Sequence, residues 1–571
     1  MQNQLTQTYA DLLDGTYDCV DRIVLNAYFR SGHIPGGFRD WWRRLNGSDE
    51  DLDDAHLMRM AGRFSRRLRA YCEKHGIPVI DCRQGERKHA IARPYLPQTS
   101  EPTGLFLVLV ARASAFTWHV EQTKDGRIRN LERKYAYVNH YYFHIMDPEW
   151  GHVTIRMAGH PPFGAQIILN GHEYVSRRAE QMGVTFNKTD NCFTDIIGSS
   201  NGQQSAETRC TSDILGPPQT VEAPDLAQIA ETVCSENIVG QLRQVCERWL
   251  YSACLCFALP LEEQQASDFR YNYSLFQMEY SHNLLFRNPG QMEAAFQGMI
   301  DRTRVRLDIK RLKTIFGRKQ RPYRHRGRKQ PREEIVIERP TYDLTIFKIH
   351  FGVMTVKLYT KADALLRAEA IVHNTKGLPY GRALDAFPAI AAHLRETLAR
   401  FLDQLVAVDR CALSDDEFDT VAHSGQLGAQ RTVGIDLNKP RMRAVLEAVV
   451  SLSVLPNGFA ASDVANKVRE ILGLSPSDYL PRHAAYDLRK LRGKQWLHRI
   501  GNSRRYQASH DGLRIMAALV LLRDKIIQPV LAGVGKPKRG PKPKNIHPVD
   551  DLYRQIQSLM RSLFLELGFA F

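Results

Sequence analysis

The stretch HYYFHIMDPEWGHVTIRM, residues 140–157, indicates the fold class because apolar and polar side chains alternate on both sides of a DPEWG turn. In a β-hairpin with this turn the apolar side chains share one face, and His140, His144 and His152 share the other. Imidazoles on paired strands lie close enough to bind a metal or to act on a phosphodiester. The alternative is an ordinary polar face that solvent or a helix covers. The stretch therefore predicts an antiparallel sheet and three candidate metal ligands.

Strand-like segments occur in two parts of the chain, the first from about residue 103 and the second from TYDLTIFKIHF at residue 341. Segments with helical periodicity precede and separate them. We therefore predict an α+β multidomain chain with two antiparallel-sheet units, their packing helices and a C-terminal winged helix-turn-helix. The predicted regions are a helical N-terminal region 1–98, a sheet domain 99–200, a helical region 201–300, a basic arm 301–333, a second sheet unit 334–410, a linker 411–438, the winged helix with a long helix 439–532, a basic Pro-rich linker 533–547 and an amphipathic helix 548–571.

The second sheet unit is expected to carry a polar face of its own. Tyr359 and Lys361 alternate with apolar residues on one strand, and Arg367 and Glu369 do so on the next. Together they offer a candidate nucleophile, a candidate metal carboxylate and phosphate-binding cations, as phosphodiester transesterification requires. The alternative is an open charged face that only holds backbone phosphates.

The net charge of +16, from 78 basic and 62 acidic residues, is concentrated in one segment. Residues 302–332 hold 14 Lys and Arg and one acid, so this arm carries +13 and the rest of the chain +3. Such a segment repels itself unless a polyanion neutralises it, which predicts a nucleic-acid-binding arm, with a solvated linker as the alternative. A second basic stretch, KPKRGPKPK, resembles a minor-groove arm or a flexible linker. The candidate contacts are Arg318, Lys319, Arg321, Arg324, Arg326, Arg328, Lys329, Lys538 and Arg539.

Residues 439–509 have the order of helices, turns and strands of a winged helix-turn-helix. Two helices, PRMRAVLEAVVSLS and SDVANKVREILG, precede a third, PRHAAYDLRKLRGKQW, and a turn at GNSRR follows. On the third helix Ala484, Leu488 and Leu491 are expected to face inward. A protein-binding winged helix is the alternative to a DNA-binding one. The expected groove and phosphate contacts are Arg482, Tyr486, Arg489, Lys490, Arg504 and Arg505.

Several classes of protein are not supported by the sequence. No run of about 18 apolar residues occurs, and the first 15 residues are polar, so we expect neither a membrane span nor a secretory signal. The ten cysteines form no CxxC pair, which favours a reducing, cytoplasmic and nucleoid-associated setting. P-loop, GxGxxG, GxSxG and HExxH motifs are absent from the sequence.

Six segments in this order resemble a widespread family of uncharacterised bacterial proteins, some of which are labelled MarR-like because of their winged helix. The segments are residues 140–157, LNGHEY at 169–174, DNCF at 190–193, QMEYSHNLLF at 277–286, KLYTKADALLRAEAIVHN at 357–374 and YDLRKLRGKQWLHRI at 486–500. This resemblance implies one architecture for most of the chain and brings no established activity.

A local resemblance links residues 357–369 to rolling-circle replication initiators, whose strands carry Tyr-x-Lys and Arg-x-Glu. The resemblance implies Tyr359 as a nucleophile that forms a 5′-phosphotyrosyl link, Glu369 as a ligand of Mg²⁺ or Mn²⁺, and Lys361 and Arg367 as phosphate-stabilising cations. The His-hydrophobic-His pair of these enzymes is not matched, because His140 and His144 are four residues apart.

Together these features favour a protein that binds and processes nucleic acid, of the mobile-element or replication-initiator type. A divalent metal is expected only if the chain is catalytic. The alternative is a non-catalytic winged-helix regulator or the protein component of an RNA–protein complex. The expected partner is DNA, with RNA as the second option, and no membrane partner is expected. The C-terminal helices are candidates for forming a homodimer.

Overall fold

The computed structural model describes residues 3–97, 103–123, 128–195, 225–235, 237–306, 334–341, 344–453, 455, 458–527 and 548–566. The strands are β1 (Leu13–Phe29), β2 (Val79–Asp81), β3 (Gly104–Gln122), β4 (Ile128–Asp147), β5 (Gly151–Ala158), β6 (Ala165–Asn170), β7 (Asn187–Thr189), β8 (Cys192–Asp195), β9 (Tyr271–Phe286), β10 (Glu334–Thr341), β11 (Leu344–Phe351), β12 (Met354–Lys361), β13 (Leu365–Val372), β14 (Gly425–Leu427), β15 (Gln430–Thr432), β16 (Phe459–Ala460), β17 (Leu497–Arg499) and β18 (Arg505–Ala508).

The helices are α1 (Gln4–Thr8), α2 (Pro35–Asn46), α3 (Asp54–Lys74), α4 (Lys88–Ala92), α5 (Gly171–Gln181), α6 (Leu226–Thr232), α7 (Ile238–Trp249), α8 (Leu261–Ala266), α9 (Pro289–Arg306), α10 (Phe387–Asp409), α11 (Asp415–Thr420), α12 (Pro440–Ser453), α13 (Ala461–Leu472), α14 (Pro481–Gly493), α15 (His510–Leu521) and α16 (Pro548–Glu566). Short 3-10 turns join several of them, and π-helical turns follow α7 at Leu250–Cys254 and α15 at Leu522–Ile527. The chain is therefore a mixed α and β protein, as the sequence predicts.

Eleven strands form one sheet in the order β10-β11-β12-β13-β9-β1-β6-β5-β4-β3-β2. Neighbouring strands are antiparallel except β2 and β3, which are parallel. This sheet contains strands from both predicted sheet units, so the expectation of two separate units is wrong. Strands β9 and β1 join the two groups, because β9 pairs with β13 on one side and with β1 on the other.

The joining strands lie in regions that the sequence predicts to be helical, β1 within residues 1–98 and β9 within residues 201–300. Consecutive residues of both strands are fully buried, such as Cys19 and Val20 in β1 and Ser281 and His282 in β9. In a strand that is covered on both faces apolar residues can occupy both faces, and in β1 and β9 the period of two that marks a strand is missing. This burial explains why the sequence did not reveal them.

The longest helix that packs on the first part of the sheet is α3. Its first turn is capped by Asp53, whose side chain accepts a hydrogen bond of 2.6 Å from the backbone N–H of His56. Leu57, Met60, Phe64, Leu68 and Cys72 of this helix are buried, and the Phe64 ring lies 4.5 Å from the ring of Tyr141 on β4. The apolar face of the hairpin around residues 140–157 is thus covered by a helix.

The chain divides into two compact units. The first is drawn from residues 9–293 and 314–398 and contains the eleven-stranded sheet. The second is drawn from residues 2–8, 294–313 and 399–571 and contains α12 to α15 with the antiparallel sheet β16-β18-β17. Helices α12, α13 and α14 and strands β17 and β18 follow in the order that the sequence predicts, whereas α11, β14 and β15 lie within the predicted linker 411–438.

Two groups of sequence-predicted contacts lie outside the described residues: Arg318, Lys319, Arg321, Arg324, Arg326, Arg328 and Lys329 of the arm, and Lys538 and Arg539 of the Pro-rich linker. Within the described part of the chain, no helix is both long enough and apolar enough to cross a membrane.

Candidate functional site

A cluster of polar side chains is buried on one face of the sheet where β1, β9, β13 and β12 lie side by side. Directly paired residues on neighbouring strands point to the same face of a sheet, so the register gathers the polar residues of β12 and β13 with those of β9. All eight residues of β13 are buried, so the alternative of an open charged face does not hold there. The members of this buried polar cluster are the buried Asp21, His172, Ser281, Asn283, Arg367 and Glu369 and the partly exposed Lys357, Tyr359 and Lys361.

Arg367 lies at the centre of the cluster and is 0 % exposed. Its Nε donates to Asn283 Oδ1 at 2.6 Å, and its Nη1 donates to Asp21 Oδ2 at 3.2 Å. Its Nη2 donates to the backbone carbonyl of Asn191 at 2.7 Å. Each guanidinium nitrogen therefore has a protein acceptor, and Asp21 balances the charge. In this arrangement Arg367 does not reach solvent, where a phosphate would arrive.

Asp21 and His172 hold the other side of the guanidinium. Asp21 Oδ1 accepts a hydrogen bond of 2.9 Å from Ser281 Oγ and lies 2.9 Å from His172 Nδ1. Although burial raises the pKa of Asp21, Arg367 and His172 outweigh it and lower that pKa well below its usual range. Asp21 is therefore ionised and serves as the counterion of Arg367.

Helix α5 brings His172 to the sheet through a contact that needs glycine. A Cβ at Gly171 would lie 1.8 Å from the backbone oxygen of Val20, so any larger residue would push the helix away from β1. Asn170 caps the helix, and its side chain accepts a hydrogen bond of 2.9 Å from the N–H of His172. The segment LNGHEY thus positions the His172 imidazole against the sheet.

Glu369 forms the second centre of the cluster, closer to the surface. Its Oε2 lies 2.9 Å from Lys357 Nζ, and its Oε1 accepts the hydroxyl proton of Tyr359. Burial raises the pKa of Glu369, but Lys357 opposes this and the net pKa is below its usual range. Burial and the nearby Glu369 raise the pKa of Tyr359 well above its ordinary value. The phenol is therefore protonated and donates to an ionised carboxylate.

Lys361 and the neighbouring Glu279 lie at the partly exposed edge of the cluster. Lys361 donates to the side chain of Asn191, and burial followed by the charge of Arg367 lowers the lysine pKa. Burial and the charge of Glu369 raise the pKa of Glu279, which accepts from Gln277 at 2.8 Å. At this edge neutral amide side chains thus hold the two charged residues, Asn191 for Lys361 and Gln277 for Glu279.

One group in the described part of the chain has the ligand types of a metal site, namely Cys19, Asp21 and His172, whose ligand atoms lie within 4.8 Å of one another. The Arg367 guanidinium lies 3.2 Å from Asp21 and 3.3 Å from His172, so a cation there would meet a fixed positive charge. Burial also raises the pKa of the Cys19 thiol, whereas metals bind the thiolate. The group therefore fits a guanidinium and not a metal ion.

The predicted metal role of Glu369 meets a similar obstacle. Both carboxylate oxygens are engaged, one by the Lys357 ammonium and one by the Tyr359 hydroxyl. A divalent ion would have to displace Lys357. We therefore derive no reaction step through a metal in this cluster.

The hairpin histidines occupy a separate place in the first unit. His144 Nδ1 and His152 Nε2 lie 2.9 Å apart, as the sequence pattern predicts, whereas His140 pairs with Ala158 and contacts the carbonyl of Val138. Burial lowers the pKa of His144 to about 3 and those of His140 and His152 to about 4. Within the described residues no third histidine, cysteine or carboxylate joins His144 and His152 within ligand distance. The pair is neutral and lacks a full ligand set.

Acid is expected to destabilise the first unit through this pair. The unfolded chain protonates both imidazoles below a pKa of about 6.5, while the folded chain does so only near pH 3 to 4, so their contribution to stability is complete above pH 6.5 and declines as the pH falls toward 4. His144→Gln combined with His152→Gln should flatten the dependence of the urea midpoint on pH between 6.5 and 4. His89→Gln, at an exposed position, is the control and should leave the slope unchanged. An equally steep slope in the double variant would contradict this assignment.

Helix α14 of the second unit carries the other predicted site residues. Ala484, Leu488 and Leu491 are buried as expected, whereas Arg482, Tyr486 and Arg489 are exposed. The exposed fraction of Tyr486 is 52 %. The sequence thus predicted which side of the helix faces outward.

Two of the predicted contacts on α14 and the following hairpin are held by the protein. Lys490 Nζ lies 3.2 Å from Asp487, a buried acid that also accepts from Arg441 at 2.8 Å and from Tyr479 at 2.9 Å. Arg505 donates to the carbonyl of Gly458. Arg504, in contrast, is exposed at the hairpin turn.

Sequence reasoning missed the residues that bond to Arg367 or to its counterion Asp21, although it had a signal for most of them. His172, Asn191, Ser281 and Asn283 belong to the segments LNGHEY, DNCF and QMEYSHNLLF that carry the family resemblance. These segments meet the segment at residues 357–374 in the buried polar cluster. Asp21 had no such signal. Comparison with protein-family models, with curated proteins and with solved structures finds no match for this chain.

Proposed function

We propose that the chain is a nucleic-acid-binding protein and that residues 440–508 act as a winged helix whose third helix, α14, reads duplex DNA. The observation that carries the proposal is the division of α14 into two sides. The apolar side is buried in the unit, and Arg482, Tyr486 and Arg489 are exposed on the other. The proposal includes the resemblance of these residues to MarR-like winged helices.

The charge of α14 suits a polyanion. Its one acid, Asp487, is buried and surrounded by Arg441, Lys490 and the Tyr479 hydroxyl, so its exposed side presents no carboxylate. Arg482 lies in the first turn, the part of a recognition helix that reaches base edges in such folds. Arginine binds guanine O6 and N7 with two hydrogen bonds, so an exposed arginine there suits base recognition.

The hairpin β17–β18 supports the same proposal. Arg499 and Arg504 are exposed on either side of its turn, where a wing would meet backbone phosphates. The arm at residues 302–332 adds a net charge of +13 in the sequence and would supply sequence-independent affinity through counterion release.

Helix α16 offers a route to a dimer of this protein. Val549, Leu552, Ile556, Leu559 and Leu563 recur at alternating steps of three and four residues and are exposed. The β-branched Val549 and Ile556 stand at the first heptad position and Leu552 and Leu559 at the fourth, a pattern that favours two parallel strands, so the proposed occupant of this face is a second copy of α16. Such a dimer would bind two half-sites about one helical turn apart.

The experiment that tests the proposal is a titration of labelled duplex DNA with the full chain at rising salt. The proposal requires binding whose affinity falls steeply with salt, since phosphate contacts release counterions. The same titration with duplex RNA tests the alternative, in which the chain is the protein component of an RNA–protein complex. No binding of duplex DNA, or tighter binding of RNA, would overturn the proposal.

Strand nicking through Tyr359 is a second candidate, and one contact favours it. The Tyr359 hydroxyl donates to Glu369, which can take the proton as the phenolic oxygen bonds to phosphorus. The bond from phosphorus to the 3′ oxygen breaks in the same step, and that oxygen takes a proton from water. Lys357 stands beside the carboxylate and would balance its charge until the proton arrives.

This second candidate predicts a covalent adduct between the protein and a single strand labelled at its 3′ end. Tyr359→Phe should abolish the adduct, because phenylalanine has no attacking oxygen, and should leave DNA binding within about twofold. Tyr380→Phe, at a tyrosine that is 41 % exposed, is the matched control and should keep the adduct. Absence of any adduct with Mg²⁺, with Mn²⁺ or with a chelator would remove the candidate.

A further inference from the structure

A two-stranded ribbon extends from one end of the large sheet. Strand β4 pairs with β5 only through residues 140–147, and β2 pairs with β3 only through residues 108–110. Residues 112–118 of β3 and 133–139 of β4 therefore pair only with each other within the described part of the sheet. This ribbon belongs to the first unit and is separate from the buried polar cluster.

One face of the ribbon is aromatic and exposed. Tyr135 is 77 % and Tyr137 is 70 % exposed, and Tyr135 is the most exposed large apolar side chain among the described residues. They lie two residues apart on β4 and so share a face at a spacing of about 6.8 Å. The register adds Phe116 to this face beside Tyr135, with ring centroids 6.3 Å apart. Soluble proteins seldom leave adjacent large rings uncovered, so this face points to a ligand.

The charges around the rings select the kind of ligand. Arg112 and Arg133 are exposed on the same face as the two tyrosines, and the paired positions from 112 to 118 and from 133 to 139 place no carboxylate there. Arg133 is held in place, because its Nη2 donates to the carbonyl of His33 at 2.9 Å. Arg112 is held by a bond of 3.0 Å from its Nη2 to the carbonyl of Tyr137. Fixed cations interleaved with open rings suit a ligand that alternates phosphates with flat bases.

A cleft of about 260 Å³ adjoins the aromatic face and adds polar groups. The His33 ring stacks on Phe116 at 4.7 Å and lines the cleft together with Arg156. His33 Nε2 and Arg156 Nε are both buried without a hydrogen-bond partner.

We infer that this face, which we call the tyrosine platform (Arg112, Phe116, Arg133, Tyr135, Tyr137 and the adjoining cleft), binds single-stranded nucleic acid by stacking bases on its rings. Aromatic side chains on exposed strands, flanked by cations, bind unpaired bases with little sequence preference. The inference does not rest on the winged helix, because the platform lies in the other unit and needs no duplex. It adds a single-strand site to a protein proposed to bind duplexes.

The test compares full-length variants in titrations with labelled oligo(dT) and oligo(U) of about 20 nucleotides and with a duplex of equal length. Tyr135→Ala with Tyr137→Ala should weaken single-strand binding about tenfold or more and leave duplex binding unchanged. Tyr135→Phe with Tyr137→Phe should bind as the wild type does, because stacking needs the ring and not the hydroxyl. Tyr95→Ala, at another exposed tyrosine, is the matched control and should have no effect.

Photo-cross-linking with a halogenated uracil strand provides a second readout that does not depend on affinity. Cross-linked peptides should contain Tyr135 or Tyr137. The inference is overturned if the wild type binds neither strand, if the alanine variant binds single strands normally, or if cross-links map to other segments. Equal loss of single-strand and duplex binding would also overturn it, since it would indicate one shared surface. Comparing oligo(dT) with oligo(U) tells whether DNA or RNA is the preferred strand.

Discussion

Replacing Arg367 with methionine is expected to lower the free energy of unfolding of the first unit by about 3–5 kcal/mol. The substitution removes the counterion of Asp21 and leaves a buried carboxylate without a positive partner. Asn283 and the carbonyl of Asn191 lose their donors at the same time. Urea unfolding followed by tryptophan fluorescence reports on this unit, because five of the six tryptophans (Trp41, Trp42, Trp118, Trp150 and Trp249) lie within it.

A double-mutant cycle separates the ion pair from the rest of the cluster. Asp21→Asn with Arg367→Met removes both charges, so the pair should recover a large part of the loss seen with Arg367→Met alone. Arg270→Met is the matched control, because Arg270 also pairs with an acid but its side chain is 84 % exposed, and it should change stability by less than about 0.5 kcal/mol. A stable Arg367→Met protein would mean that Arg367 has no structural role and would return it to the list of phosphate ligands.

Arg482→Ala combined with Arg489→Ala is expected to weaken binding of a specific duplex about 100-fold. An arginine that contacts bases contributes about 1–3 kcal/mol, and about 1.4 kcal/mol corresponds to a factor of ten. Both side chains are exposed, and the contact of Arg489 with the side chain of Gln430 is at the surface, so the fold should be unaffected. The affinity is measured by fluorescence anisotropy with the full chain, and the thermal midpoint is checked alongside.

The matched control for this prediction is Lys439→Ala, which removes a cation that is 72 % exposed just before α12. The substitution should lower the affinity for DNA less than twofold at physiological salt, because salt screens the attraction between DNA and one distant surface charge. If the arginine pair and Lys439 have equal effects, the binding depends on net charge alone. In that case α14 does not act as a recognition helix.

The parts of the fold that sequence patterns predicted are those whose apolar residues recur on one face, whether or not the polar face is also buried, as it is in β13. The hairpin at residues 140–157 and the strands β12 and β13 alternate apolar and polar residues, and α14 keeps its apolar residues on one side. Strands β1 and β9 are covered on both faces and carry buried polar residues, so neither alternation nor a pure apolar run marks them. Because the sequence did not reveal β1 and β9, it could not show that the two groups of strands belong to one sheet.

The candidate site was predicted in its residue types but not in its burial. Tyr359, Arg367 and Glu369 were recognised as sharing a face, yet a charged residue looks the same in the sequence whether it faces solvent or a buried partner. Arg367 and Asp21 are 346 residues apart, so no local pattern links them. Burial distinguishes the two roles. An arginine whose donors all bond within the protein, such as Arg367, stabilises the fold, whereas an exposed arginine, such as Arg482, is available to a ligand.

The measurement that tests the account most directly is selection of bound sequences from a random duplex DNA pool by the full-length wild type and by Arg482→Ala/Arg489→Ala. The account predicts that the wild type enriches a defined motif, with two half-sites if α16 forms a dimer, and that the variant loses the motif while retaining weak, salt-sensitive binding. Enrichment of the same motif by both proteins, or of none by the wild type, would contradict the claim that α14 reads DNA.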